Sequence, residues 1–162
     1  MSNLLKRRNV IKVREYLHNF DDNIELIILE ETARTANDAA KSLKKEVGAI
    51  VKSLLFKNIQ TNKYILCLVS GDQYISIKKL SKIIGSNIIK ANAFECKKIT
   101  GFSIGGISPV AHLYPPSRII IDENLNKFEM LYAAAGHPYV VFSITYRSLC
   151  SIVNGEIFSI VE

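Results

Sequence analysis

Three stretches of this 162-residue sequence combine residue types that can do chemistry. The first holds Lys52, set in the β-branched and aromatic run 49–56. Period-two alternation puts Ile50, Lys52, Leu54 and Phe56 on one face, and Val51, Ser53 and Leu55 on the other. Lys52 therefore has apolar neighbours whichever face is inward. It is either an edge-strand guard against aggregation or a cation held in a pocket. The second stretch is Gly101-Phe-Ser-Ile-Gly-Gly-Ile-Ser-Pro109. Gly105 and Gly106 permit a positive φ or a close approach, while Pro109 fixes its own φ and restricts Ser108. Such a loop can aim amide N–H groups at a ligand oxygen, or it can simply be a tight connection. The third is His137, between Gly136 and Pro138 at a strand end. A functional role and a hydrogen bond to a nearby carbonyl are both open to it.

Whole-chain properties narrow the chemistry. Apolar content of 48% with 22% charged residues describes a globular chain, long enough for one domain with a full core. The apolar runs are strand-sized, as in 64–69, so no membrane span is expected. Lys6, Arg7 and Arg8 open the chain without a sustained apolar segment behind them, unlike a signal peptide. Cys67, Cys96 and Cys150 are odd in number and unclustered, against a disulfide framework or a zinc site. A reducing cytosol, hence a cytoplasmic protein, is the expectation. Ligand-type residues do not cluster, so neither a metal nor another cofactor is expected. A net charge of +6 suits a polyanion such as RNA, although a lysine-rich composition can have other origins. There is no Gly-x-Ser-x-Gly elbow, Walker loop, His-Glu-x-x-His or Cys-x-x-Cys. Ser103-Ile-Gly-Gly follows a predicted helix instead of a strand, which excludes a dinucleotide loop.

The elements that must position these residues follow from periodicity and caps. An amphipathic helix is predicted over 4–20, then a short strand at 24–29. Thr35, with Asp38 three residues on, caps a helix over 36–46 that Gly48 ends. Strands at 49–56 and 64–69 flank a polar hairpin connection. A helix from 76 or 77 to 84 stops at Gly85, a strand follows at 88–90, and Asn92 with Glu95 caps a helix ended by Gly101. Strands at 118–122, 128–135 and 139–144, a helix at 145–153 and a closing strand at 157–161 complete the chain. Strands outnumber helices without alternating with them, so the class is α+β, a mixed or barrel-like sheet with helices outside.

In this order and spacing, Thr32-Ala-Arg-Thr-Ala, Ile50-Val-Lys-Ser-Leu, Ser70-Gly-Asp72, the 101–109 loop and Tyr132-Ala-Ala-Ala-Gly-His137 carry a resemblance. The chain resembles the YbaK/EbsC family, stand-alone relatives of the editing insertion domain of bacterial prolyl-tRNA synthetase. The resemblance runs over 24–160, behind the N-terminal helix within 1–20, in one domain spanning 1–162. It implies a YbaK-like α+β fold with a mixed, barrel-like sheet and helices packed around it. It implies hydrolysis of the ester joining alanine, cysteine or serine to tRNA(Pro), with prolyl-tRNA synthetase as a conceivable protein partner. Lys52 falls on the family's functional lysine. Gly105, Gly106 and Pro109, with Ile107 and Ser108 between, fall on the loop that cradles the aminoacyl-adenosine end. Gly136 and His137 fall on another wall of the pocket. With these, Lys52, Gly106 and His137 are the catalytic expectations; Thr35, Ser53, Gly105, Ile107, Ser108, Pro109 and Gly136 are the substrate-binding ones. No carboxylate follows Gly136-His-Pro138 closely, unlike the cysteine-directed type, so the amino acid stays open.

Two competing readings accompany this one. A module of the same fold could bind tRNA or a nucleotide without hydrolysing it. An unrelated hydrolase could use Cys96 or Ser108 with His137; it predicts that alkylation or Cys96→Ala abolishes activity.

Overall fold

The computed structural model describes residues 3–32 and 34–162; Met1, Ser2 and Ala33, the second residue of the Thr32-Ala-Arg-Thr-Ala motif, lie outside them. Helix α1 (Arg8–Phe20) follows a short 3₁₀ turn and buries Val10, Val13 and Leu17, one turn or two apart, leaving its basic residues outward. Strand β1 (Leu26–Ile28) leads to helix α2 (Ala36–Leu43), then β2 (Val51–Asn58) and β3 (Tyr64–Ser70) as a hairpin. Helix α3 (Ile77–Ile84), strand β4 (Ile88–Lys90) and helix α4 (Ala93–Thr100) come next. After the glycine loop stand β5 (Arg118–Asp122), β6 (Leu131–His137), β7 (Val140–Ile144), helix α5 (Tyr146–Val153) and β8 (Glu156–Phe158).

The α+β class with a mixed sheet is as the sequence indicates, but among the described residues the strands do not close into a barrel. They form two sheets, β1-β7-β6 and β4-β2-β3-β5-β8. The larger one is mixed: β4, β2 and β3 pair antiparallel, while β3, β5 and β8 pair parallel. The two sheets touch through a parallel bridge between Ile50 and Tyr132. Strand β3 is covered on both faces, as a central strand with parallel neighbours requires. Leu66 and Leu68 pack into the main core with α1 and α5, whereas Ile65, Cys67 and Val69 pack with Leu80 of α3.

Several boundaries differ from the sequence reading, each for a local reason. Helix α2 ends early at Leu43 because Lys44 takes the left-handed conformation (φ +56°) and caps it. Gly48 is no cap; it is buried against the Phe128 ring, where a side chain would not fit. Thr35 does accept the Asp38 N–H at 3.1 Å, yet among the described residues the full reciprocal capping box forms only at Asn92 and Glu95. Strand β6 begins at Leu131, after a 3₁₀ turn at Glu123–Lys127. Helix α5 is capped by Asn154 (φ +49°), not by Gly155.

Candidate active site

A cavity of about 340 Å³ opens where the two sheets part, at the low end for a small-ligand site. Strand β2 makes one wall. Its C-terminal end pairs with β4 at 56–58 and its N-terminal end meets β6 only at the Ile50 bridge, so 51–55 presents an edge between them. Leu55 O accepts the Ala91 N–H at 2.9 Å on this edge. By the two-residue period, the N–H and C=O of Ser53 face the same way, into the cavity. Tyr132, Ala133, Ala134 and His137 of β6 make the opposite wall, and the run of alanines keeps it shallow enough to leave space. Ile104, Gly105 and Ile107 form a third side, and Arg34 and Thr35 stand at the entrance to α2.

Lys52 reaches this cavity from β2. Its ammonium donates to the Gln73 carbonyl and sits 4.7 Å from the centroid of the Tyr74 ring. Burial lowers its pKa from the ordinary lysine value; Asp72 partly offsets this and Lys90 adds to it. Lys52 thus stands both on an unpaired stretch of strand edge and on the cavity lining. Ser53 adds a hydroxyl that is buried and has no hydrogen-bond partner among the described residues. A buried polar group left unpaired is costly, and a ligand would relieve that cost.

The glycine loop is shaped by a turn. Gly106 donates to Ser103 O at 3.0 Å, and Gly105, third in that turn, has φ +94°, as a type II turn demands. The Gly106 amide is thus engaged within the loop itself, as in a tight connection. Gly106 serves by closeness: a Cβ there would lie 3.0 Å from the His137 nitrogen. His137 Nδ1 accepts the Tyr139 N–H at 3.1 Å, so in the neutral ring Nε2 carries the proton. Burial, then the charge of Arg7, lowers the His137 pKa.

Of the expected site residues, Thr35, Lys52, Ser53, Gly105, Ile107 and His137 line one cavity, and Gly106 backs it. Gly136 (φ +87°) shapes the β6 bulge from behind; a Cβ there would lie 2.9 Å from Asn9 O of α1. Ser108 and Pro109 are set apart. Ser108 is fully buried, with its hydroxyl accepting Val110 N–H at 3.3 Å and its carbonyl 2.6 Å from His112 Nε2. Pro109 lines a second, more open groove of about 660 Å³ with Lys12, His112 and Arg118. Arg34 and Tyr132 lie inside the quoted motifs but were not expected as site residues, because the cavity they line is formed by strands distant in sequence.

Burial disfavours the thiolate at Cys67 and Cys96. Burial pushes Cys67 up to about 12, and Cys96, though on the cavity wall, is 4% exposed and also raised by burial. Among the described residues no cluster of three or more metal-ligating side chains occurs, and no helix is long and apolar enough to cross a membrane.

Comparison with known proteins agrees with this architecture. The aminoacyl-tRNA editing domain model matches residues 30–151. A solved structure of a candidate trans-editing enzyme for prolyl-tRNA synthetase superposes with a TM-score of 0.89 at 30% identity, covering 96% of this chain and 98% of that one. The candidate Cys-tRNA(Pro)/Cys-tRNA(Cys) deacylase EbsC of Enterococcus faecalis is 24% identical over 123 residues, 75% of this chain and 74% of that protein. A proline–tRNA ligase of Lactobacillus acidophilus is 32% identical over 115 residues, 66% of this chain but only 20% of the ligase. The chain belongs to the aminoacyl-tRNA editing domain family, and with it to the aminoacyl-tRNA deacylases.

Proposed function

We propose that this chain is a trans-editing hydrolase that removes alanine, cysteine or serine from mischarged tRNA(Pro), using water and no cofactor. The observation that carries the reading is that the half-buried Lys52 and His137 line one small cavity, from its two opposite walls. An aminoacyl ester is already activated, so positioning and a stabilised oxyanion suffice without a nucleophilic side chain. Lys52, a compact cation, holds a phosphate or ribose oxygen of the terminal adenosine. The N–H of Ser53 on the β2 edge is a donor for the ester carbonyl. The Nε2–H of His137 orients the attacking water. Ile50, Leu54 and Ile107 give the side-chain end of the cavity an apolar lining that excludes large residues. One methylene is worth only about 1–3 kcal/mol in such a pocket, so discrimination by size is graded.

The reading takes residues 1–162 as one cytoplasmic domain that acts on free tRNA or on tRNA delivered by prolyl-tRNA synthetase. The names of its relatives support tRNA(Pro) as the substrate. Deacylation of tRNA(Pro) charged in turn with Ala, Ser, Cys and Pro tests it. Hydrolysis of at least one non-cognate ester with Pro spared is expected; equal loss of all four, or of none, overturns it.

A further inference from the structure

Tyr74 is 71% exposed, yet it is held in place. Its carbonyl accepts the Glu162 N–H at 3.0 Å, and the next residue, Ile75, bridges to Val161. The chain end therefore fixes the backbone beneath the ring. The ring faces the Lys52 ammonium, which itself lines the cavity. Arg34 and Lys90, both exposed, are further cations on the cavity lining, and Arg7 is close enough to His137 to lower its pKa. An exposed, anchored aromatic beside a basic cavity mouth is the combination that single-stranded nucleic acid uses: bases stack on the ring while cations follow the phosphates.

We propose that Tyr74 is a stacking platform for a base at the single-stranded 3′ end of the RNA, outside the cavity that takes the ester. The proposal rests on the editing reading for its ligand, and it assigns the recognition of the RNA end to a residue outside the cavity lining. Arg34 and Lys90 lie where flanking phosphates would pass. Tyr74 is a binding residue in this account, with no part in bond breaking.

The alternative is that the ring only supports the Lys52 cation. A double-mutant cycle separates the two. The probe is an uncharged single-stranded ribo-oligonucleotide ending in CCA, titrated against the wild type, Tyr74→Ala, Tyr74→Phe, Lys52→Ala and the Tyr74→Ala/Lys52→Ala pair. Stacking predicts a roughly tenfold higher Kd for Tyr74→Ala, little change for Tyr74→Phe, and a further loss in the Lys52→Ala background. Unchanged affinity in Tyr74→Ala, or no added loss in the double variant, overturns the proposal. Because this titration involves no hydrolysis, the two readings fail separately. Tyr74-dependent binding without deacylation would leave the platform standing and remove the editing activity. Deacylation with Tyr74-independent binding would do the reverse.

Discussion

Gly106 and His137 meet backbone to backbone: a Cβ on Gly106 would lie 3.0 Å from the nitrogen and 3.1 Å from the Cα of His137. The glycine loop thus sets where β6 bulges and where the histidine ring stands. Gly106→Ala must push the loop away from a strand, which cannot yield as a flexible side chain would. The expected result is a loss of about 1–3 kcal/mol in stability, as for other overpacking changes, together with lower kcat. Urea unfolding and single-turnover deacylation measure the two; a variant normal in both would show that the contact does not position His137.

The pH profile should carry the mark of His137. Its pKa is depressed below the ordinary 6.5 by burial and then by Arg7, so the ring is protonated at a lower pH than an ordinary histidine. With the neutral Nε2–H orienting water, the acid limb of kcat/KM should be centred below pH 6.5. An acid limb centred at or above 6.5 would contradict this role.

His112 makes a stability prediction instead. It is half-buried beside the open groove that Lys12 and Pro109 also line, and burial lowers its pKa despite the Ser108 carbonyl that accepts from its ring. The unfolded chain then binds the proton more readily than the folded one, so stability rises with pH across the window just below 6.5. It is lost as pH falls from about 6.5, and His112→Gln should flatten that slope. Chemical denaturation between neutral pH and pH 5 checks it; identical slopes in variant and wild type would refute the assignment.

Cys96 separates the water mechanism from thiol catalysis. Its thiol is nearly sealed and held protonated by burial, with Ala91 O as its weak acceptor at 3.9 Å. Cys96→Ala should keep deacylation near the wild-type rate while costing about 1 kcal/mol of stability for the lost packing. Loss of activity with the fold intact would restore the thiol mechanism.

Much of this was legible in the sequence because local chemistry set it. Thr35, Asn92, Gly85 and Gly101 end or begin helices where their side chains or backbones require. Lys52 stands out in the sequence because its strand neighbours are apolar on both faces. What could not be read depends on distant strands. The split into two sheets is set by β2 leaving β4 for β6, a matter of pairing between residues about 80 positions apart, as at Ile50 and Tyr132. For the same reason the cavity's second wall, and the displacement of Ser108 and Pro109 from it, have no signature in the loop's own residues. Lys44 and Asn154 take the left-handed cap positions although Gly48 and Gly155 lie close by in the sequence, so the glycines alone do not mark where these helices end.

The most direct measurement is single-turnover hydrolysis of Ala-, Ser- and Cys-tRNA(Pro) by the wild type and Lys52→Ala. The account predicts release of at least one of these amino acids by the wild type, and a fall of about a hundredfold in the variant, with its fold retained. A Lys52→Ala protein that hydrolyses the same ester at the wild-type rate would contradict the central claim that this half-buried cation holds the substrate for attack by water.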